Sequence, residues 1–324
     1  VQNTHYKKRV AVLRGGPSSE YDVSMNTGVS VIKTLSHLPY SIKEIVVTKN
    51  GEWLVNGFVR QPIQALLDVD VVFNALHGTY GEDGSLQRVL EPLALPFTGS
   101  SSYVSALTVN KFLAKEYLKK NQIDVLLPPH MKVSKQEDAG IMKITQTITD
   151  LFGPEYVVKP INGGSSIGIA YADQSNLYTA ISRVLNSCEQ VLVEKRIIGK
   201  EATVGILENF REQKYYQLPA AEICLGETVV GDTNTPQILC PGRFSKIEKE
   251  KLAKAAKDIH QIFNLQQYSA SDFIVATDGI YFLETNSLPK LSEESSFVSA
   301  LNAVGGTYSE LLVHLIETAT YKVV

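Results

Sequence analysis

The stretch from Tyr268 to Pro289 holds two runs rich in β-branched and aromatic residues, Tyr268-Ser269-Ala270-Ser271-Asp272-Phe273-Ile274-Val275 and Gly279-Ile280-Tyr281-Phe282-Leu283-Glu284-Thr285-Asn286, joined through Thr277-Asp278-Gly279. Such a pattern predicts a hairpin within a sheet, with Asp-Gly making the turn. Alternate residues of a strand share a face, so Glu284 and Asn286 are expected on the same side. With Asp272 opposite them on the neighbouring strand, three hard oxygen ligands converge. Mg2+ suits such a set, because it prefers oxygen, keeps several waters and takes few protein groups alongside substrate phosphates. The competing reading is a set of turn-flanking side chains that face water.

A chain of 324 residues exceeds what one hydrophobic core serves, so two or three domains are expected. Its net charge of -3 gives no electrostatic reason to expect nucleic acid or an anionic membrane as partner. Cys188, Cys224 and Cys240 are scattered without metal-ligand spacing and read as reduced cytosolic thiols. No apolar run approaches the roughly eighteen residues of a membrane span, and no signal-like apolar region follows Lys7-Lys8-Arg9. An intracellular, soluble protein is the expectation.

Taken in order, Arg9-Val10-Ala11-Val12-Leu13 is a short buried strand, followed by Gly15-Gly16 and a helix from about Ser24 to Leu35. Strand, Gly-Gly turn and helix are the layout of an α/β site at the carboxyl end of a parallel sheet. Glu20 in that turn can orient an amine, or serve as a helix-start charge favoured by the dipole. Further strands are expected over Tyr40 to Val47 and Val69 to Asn74. The second runs into a glycine-rich loop carrying His77, Glu82 and Asp83, an apt place for contacts to a small substrate. His77 reads equally as a satisfied structural histidine. A helix is expected from about Ser85 to Glu91, and another from about Ser102 to Asn121 carrying Lys111, by itself an ordinary solvated lysine.

The segment Glu155-Tyr156-Val157-Val158-Lys159-Pro160-Ile161-Asn162-Gly163-Gly164-Ser165-Ser166-Ile167-Gly168-Ile169 reads as strand, glycine-rich loop, strand. Glycines let backbone N–H groups approach an anion, Ser165 and Ser166 add donors, and Lys159 at the strand end meets phosphate charge. Because it leads into a strand, it predicts a hairpin flap that closes over phosphates, with a plain glycine turn as the alternative. Beyond it, Glu194 at the end of Val191-Leu192-Val193 and Glu201 after Gly199 can take an adenine amino group or ribose hydroxyls.

Read together, Gly15-Gly16, Ser18-Ser19-Glu20 and Val23-Ser24, then His77-Gly78 and Gly81-Glu82-Asp83-Gly84, then Lys159-Pro160, Gly164-Ser165-Ser166 and Gly168, then Glu194, Gly199 and Glu201, and lastly Asp272, Glu284 and Asn286 resemble the D-alanine–D-alanine ligase family of the ATP-grasp superfamily. The resemblance covers nearly the whole chain in order. It implies an α/β, multidomain ATP-grasp fold with an N-terminal α/β substrate domain over 1–100, a central domain over 101–190 and a C-terminal metal domain over 191–324, ATP lying between the last two. It implies an ATP-dependent carboxylate–amine ligase that joins two amino acids through an acyl phosphate, in peptidoglycan precursor synthesis. Lys111, Lys159, Ser165, Ser166, Glu194 and Glu201 would contact the nucleotide. Asp272, Glu284 and Asn286 would hold two Mg2+ ions, or Mn2+ in their place. Glu20 and His77 would belong to the first amino-acid pocket, Ser295 to the acceptor, and Glu20, Ser165, Lys290 and Ser295 to the reacting groups. A cytoplasmic homodimer is implied as well.

The chain departs from the family at three places. Ala270 stands where the family has an arginine that steadies the developing oxyanion, and losing one such donor typically costs about 10²–10³ in turnover. Lys290 stands where the family has a glycine of the oxyanion hole. The loop between Glu222 and Cys240 lacks the Tyr and Lys that the family brings over the site. Two expectations follow: Lys290 returns the missing cation and the chain remains a ligase, with the family's acceptor or an altered one, or it is an ATP-binding homologue with weak or lost ligation and a regulatory role.

Overall fold

A computed structural model describes residues 7–163, 168–224 and 236–320. Three sheets organise them. The first is built from β1 (Arg9–Gly15), β2 (Ser41–Val47), β3 (Trp53–Val55), β4 (Phe58–Arg60) and β5 (Val71–Asn74), in the order β4-β3-β2-β1-β5. β1 runs parallel to both β2 and β5. Along β1, Val10 and Val12 face one core while Ala11 and Leu13 face another, so a continuous apolar run is what a strand buried on both faces requires. The first helix, α1 (Tyr21–Leu35), begins before the expected Ser24 and packs Val31 and Leu35 against Val10 and Val12. Two short helices, α2 (Pro62–Ala65) and α3 (Ser85–Leu90), follow in the same unit.

The long helix expected over 102–121 is two helices, α4 (Ser102–Val109) and α5 (Lys111–Lys120). Between them Asn110 is extended, with φ -87° and ψ 100°, and its side chain accepts a hydrogen bond from the Leu113 N–H at 3.0 Å. A capping residue inside an otherwise helical pattern thus ends one helix and starts the next. The break also brings the backbone of Lys111 to Ile161, its N–H donating at 2.9 Å.

The second sheet contains β6 (His130–Ser134), β7 (Glu155–Pro160), β8 (Ala170–Asp173) and β9 (Gln190–Lys195), in the order β6-β9-β7-β8, all antiparallel. The expected break between 190 and 191 therefore cuts into β9, whose partners keep it in this sheet. Helices α6 (Ile141–Phe152) and α7 (Leu177–Leu185) cover one face through Ile148, Phe152, Leu177 and Ile181 against Tyr156, Val158, Val191 and Val193. By strand alternation Lys159 and Glu194 lie on the opposite face.

The third sheet is β10 (Lys200–Phe210), β11 (Gln213–Gln217), β12 (Ala221–Cys224), β13 (Gln237–Leu239), β14 (Tyr268–Ala276) and β15 (Gly279–Asn286). Its path is β13-β12-β10-β14-β15, with β11 also on β10. α4 and α5, although adjacent in sequence to the first unit, join α8 (Lys246–Ile262) on this sheet, where Val104, Ala114 and Leu118 meet Ala202, Phe273 and Phe282. Of the last helices, α9 (Ser296–Ala303) packs on the third sheet, with Phe297 edge-on to Tyr268, and α10 (Tyr308–Glu317) returns to the first unit, where Leu311, Leu312 and Leu315 complete the core over Val10, Val71 and Phe73. Among the described residues no helix is long and apolar enough to cross a membrane.

Candidate active site

The three sheets meet around a cleft of about 320 Å³. The first unit contributes Ser18, Ser19, Glu20, Gly78 and Thr79, the second Lys159, Asn162, Gly163 and Ile169, the third Glu201, Asp272 and Glu284, and α5 contributes Lys111.

The expected hairpin forms and sets Asp272 directly opposite Glu284. Plain alternation would put Phe282 and Glu284 on one face, however, and one belongs in the core while the other faces the cleft. A bulge resolves this. Asp272 pairs with Glu284 but Phe273 pairs with Phe282, so Leu283 is an extra residue that turns Glu284 to the side of Asp272 while Phe282 packs on Phe273. Lys115, fully buried on α5, donates to the carbonyls of Phe282 at 3.0 Å and Leu283 at 2.8 Å, holding the bulge.

Asp272 Oδ1 accepts from the Thr203 hydroxyl at 2.6 Å, and Glu284 Oε2 lies 2.9 Å from Lys111 Nζ. Burial, and then the facing Glu284 carboxylate, push Asp272 up to about 7. Two partly buried carboxylates that face each other gain from a divalent cation between them, so the donor chemistry fits Mg2+. Among the described residues no cluster of three or more His, Cys, Asp or Glu side chains has metal-holding geometry, so a third protein ligand would be the Asn286 amide oxygen. That oxygen already accepts from the Leu288 N–H at 2.8 Å, leaving one lone pair, and it lines an adjoining crevice that shares Lys111, Gly163 and Glu284 with the cleft.

Lys111 also donates to the Gly163 carbonyl at the root of the glycine-rich loop. The flap residues Ser165 and Ser166 lie outside the described residues, as does most of the loop before Cys240. Lys159 lines the cleft, yet its ammonium is 2.7 Å from Glu194, which also lies 3.0 Å from Lys115. Glu194 is 2% exposed and does not line the cleft; it holds two lysines. Burial opposes its ionisation, but Lys115 and Lys159 outweigh that and hold it down at about 2. At Lys115 burial prevails over the pull of Glu194 and pushes the ammonium down to about 8. At Lys159 burial is outweighed by Glu194 and Glu284, and the group is raised. Glu201 is raised by burial and then by Glu284, as expected of an acid beside the Asp272–Glu284 pair.

On the far wall, Gly78 adopts φ +70°, and a Cβ there would lie 2.3 Å from Ser18 Oγ and 3.0 Å from Glu20 Oε2. Only glycine lets this loop close onto the Glu20 turn. His77 stands behind it, with Nε2 3.0 Å from Thr27 Oγ1 and Nδ1 3.4 Å from Glu82, and Gly78 and Thr79 form the cleft surface instead. Ser295 spends its hydroxyl on capping α9, accepting from the Val298 N–H at 3.2 Å. Lys290, expected at the oxyanion, is bonded to Glu20 Oε1 at 2.6 Å, because a carboxylate only 7% exposed draws the nearest cation. Lys115 and Thr203 escaped the sequence reading. For Lys115 a signal existed: it follows Lys111 by one helical turn and shares a stripe with the buried Ala114 and Leu118.

A family model described as D-ala D-ala ligase C-terminus matches residues 119–317, and one described as D-ala D-ala ligase N-terminus matches residues 56–100. The D-alanine–D-alanine ligase of Syntrophobacter fumaroxidans is 32% identical over 97% of this chain and 98% of its own length. The chain belongs to the D-alanine–D-alanine ligase family. The crystal structure of the D-alanine–D-alanine ligase from Bacillus anthracis is 29% identical, with a TM-score of 0.81 over 96% of this chain and 97% of that one. The VanG D-Ala:D-Ser ligase from Enterococcus faecalis, at 24% identity, shares the fold with a TM-score of 0.82 over 97% of this chain and 99% of that one. D-alanine–D-alanine ligases are ATP-dependent and generally use Mg2+, and their ATP-grasp fold is the architecture expected from the motifs. Against the D-alanine–D-alanine ligase pattern, Ala270 is buried between Gly205 and Asn286 in the apolar core with Leu288 and Phe297, and brings no charge to the cleft.

Proposed function

We propose that this chain is an ATP- and Mg2+-dependent carboxylate–amine ligase of the D-alanine–D-alanine type, acting in peptidoglycan precursor synthesis. The observation that carries this reading is the Asp272–Glu284 pair with Lys111 and Lys159 beside it and Glu20 on the facing wall of one cleft. When bound, ATP with its Mg2+ supplies a γ-phosphoryl group in neutralised form, which makes a carboxylate oxygen a leaving group.

The residues of the chain position and neutralise. Asp272 and Glu284, with Asn286, hold the metal; Lys111 and Lys159 meet phosphate charge; Glu201 receives ribose hydroxyls; Glu20 orients the first substrate. Glu194 and Lys115 act behind them, fixing Lys159 and the bulge that aims Glu284. In the first step an oxygen of the first substrate's carboxylate bonds to the γ-phosphorus while the bond to ADP breaks, ADP keeping the electron pair. In the second, the amine of the second substrate bonds to the activated carbonyl carbon, phosphate leaves with the carbon–oxygen pair, and the amine gives up a proton. No nucleophilic side chain is needed.

Purified protein incubated with ATP, Mg2+ and D-alanine is expected to form ADP and the dipeptide in equal amounts, resolved by mass. ADP without any amide product from a panel of D- and L-amino acids would refute ligation and leave an ATP-binding homologue.

A further inference from the structure

Lys290 gives the first-substrate pocket a feature that its carboxylate alone does not have. Glu20 is the acidic group on the cleft wall remote from Asp272 and Glu284, and its side chain is only 7% exposed. A carboxylate so enclosed needs a partner, and here the partner is internal: the Lys290 ammonium, 2.6 Å from Oε1. The other oxygen lies against Gly78, where a Cβ would come within 3.0 Å. Lys290 itself is 38% exposed and reaches Glu20 from the loop that follows β15.

A substrate ammonium approaching Glu20 therefore meets a carboxylate that already carries the Lys290 ammonium on one oxygen. Each interaction falls off with its own distance, and a cation held 2.6 Å from Oε1 offsets much of the attraction that the carboxylate offers. Like charges brought together in a confined site also discriminate against the ligand that carries one. A hydroxyl at the same carbon incurs no such repulsion and still donates a hydrogen bond to a carboxylate oxygen, which has lone pairs beyond the one that Lys290 uses.

We propose that the Lys290–Glu20 pair cancels selection for an α-ammonium in the first pocket, so that the pocket accepts a 2-hydroxy acid as readily as the amino acid of the same shape. The inference rests on reading Glu20 as the first-substrate carboxylate. The chemistry is unchanged: the acid's carboxylate takes the γ-phosphoryl, ADP leaves, and the acceptor nitrogen displaces phosphate and loses a proton, while the hydroxyl stays intact.

The test uses the full chain with ATP and Mg2+, D-alanine or D-lactate as the acid, and hydroxylamine as a common acceptor, reading hydroxamate and ADP. Wild type is expected to use the two acids with kcat/KM values within about threefold of each other. Lys290→Met, which removes the internal cation, is expected to shift the ratio at least about tenfold toward alanine, whereas Lys290→Arg, which keeps it, holds the wild-type ratio. A wild type that prefers alanine by about a hundredfold or more, or a ratio unmoved in Lys290→Met, overturns the proposal while leaving ligation intact. Absence of acid-dependent ADP with either acid overturns ligation itself and the proposal with it. Should Lys290→Met fail to fold, the wild-type ratio alone decides.

Discussion

Asp272 and Glu284 carry opposite obligations to stability and to function. Facing each other across two strands at the cleft and partly buried, they repel, and burial together with Glu284 pushes Asp272 up from the usual carboxylate range. Asp272→Asn keeps an oxygen for the Thr203 hydroxyl and removes the repulsion. The substituted protein is therefore expected to melt no lower than wild type without metal, to lose the rise in melting temperature that Mg2+ with nucleotide produces, and to form ADP at least about 10²-fold more slowly. A thermal shift series with and without Mg2+, beside an ADP assay, reads all three. The pairing of these residues was legible because a strand's period of two and an Asp-Gly turn act locally. Glu194 was not, since its burial against Lys115 and Lys159 depends on segments far apart in sequence.

At the scale of elements, the bulge in β15 and the break between α4 and α5 do the positioning. The bulge lets one strand send Phe282 into the core and Glu284 into the cleft, and the break lets α5 present Lys111 at the cleft and Lys115 at the bulge. Lys115→Met nearly preserves volume but deletes the donor to the carbonyls of Phe282 and Leu283 and leaves Glu194 with one lysine. Removing one partner of a buried ionic group costs on the order of 3–5 kcal/mol in stability. With Glu284 less firmly aimed, the Mg2+ concentration for half-maximal ADP release is expected to rise about tenfold, a change that a simple loss of folded protein does not produce. An unchanged Mg2+ dependence would show that Lys115 supports only the fold. Neither device shows in the alternation of residue types: a bulge is one residue out of phase, and Asn110 sits in a helical pattern until its contact with Asn162 is known.

Over the whole molecule, strands of each sheet were legible as apolar runs between turn residues, but β6 and β10 to β13, and the assignment of helices to the sheets, were not. α4 and α5 leave the first unit to cover the third sheet, and α10 crosses back to cover the first, because apolar faces pair by proximity in the fold and not along the chain. These exchanges tie the walls of the cleft together, with Glu20 on one and Asp272 and Glu284 on another, so that an acid and a nucleotide can meet between them. The most direct measurement supplies the first acid with oxygen-18 in its carboxylate and weighs the phosphate released during turnover with an amine acceptor. If the acid's own oxygen attacks the γ-phosphorus, each phosphate carries one heavy oxygen away from the amide product. Phosphate without label would mean that water took the phosphoryl group, and carboxylate activation in this cleft would be contradicted.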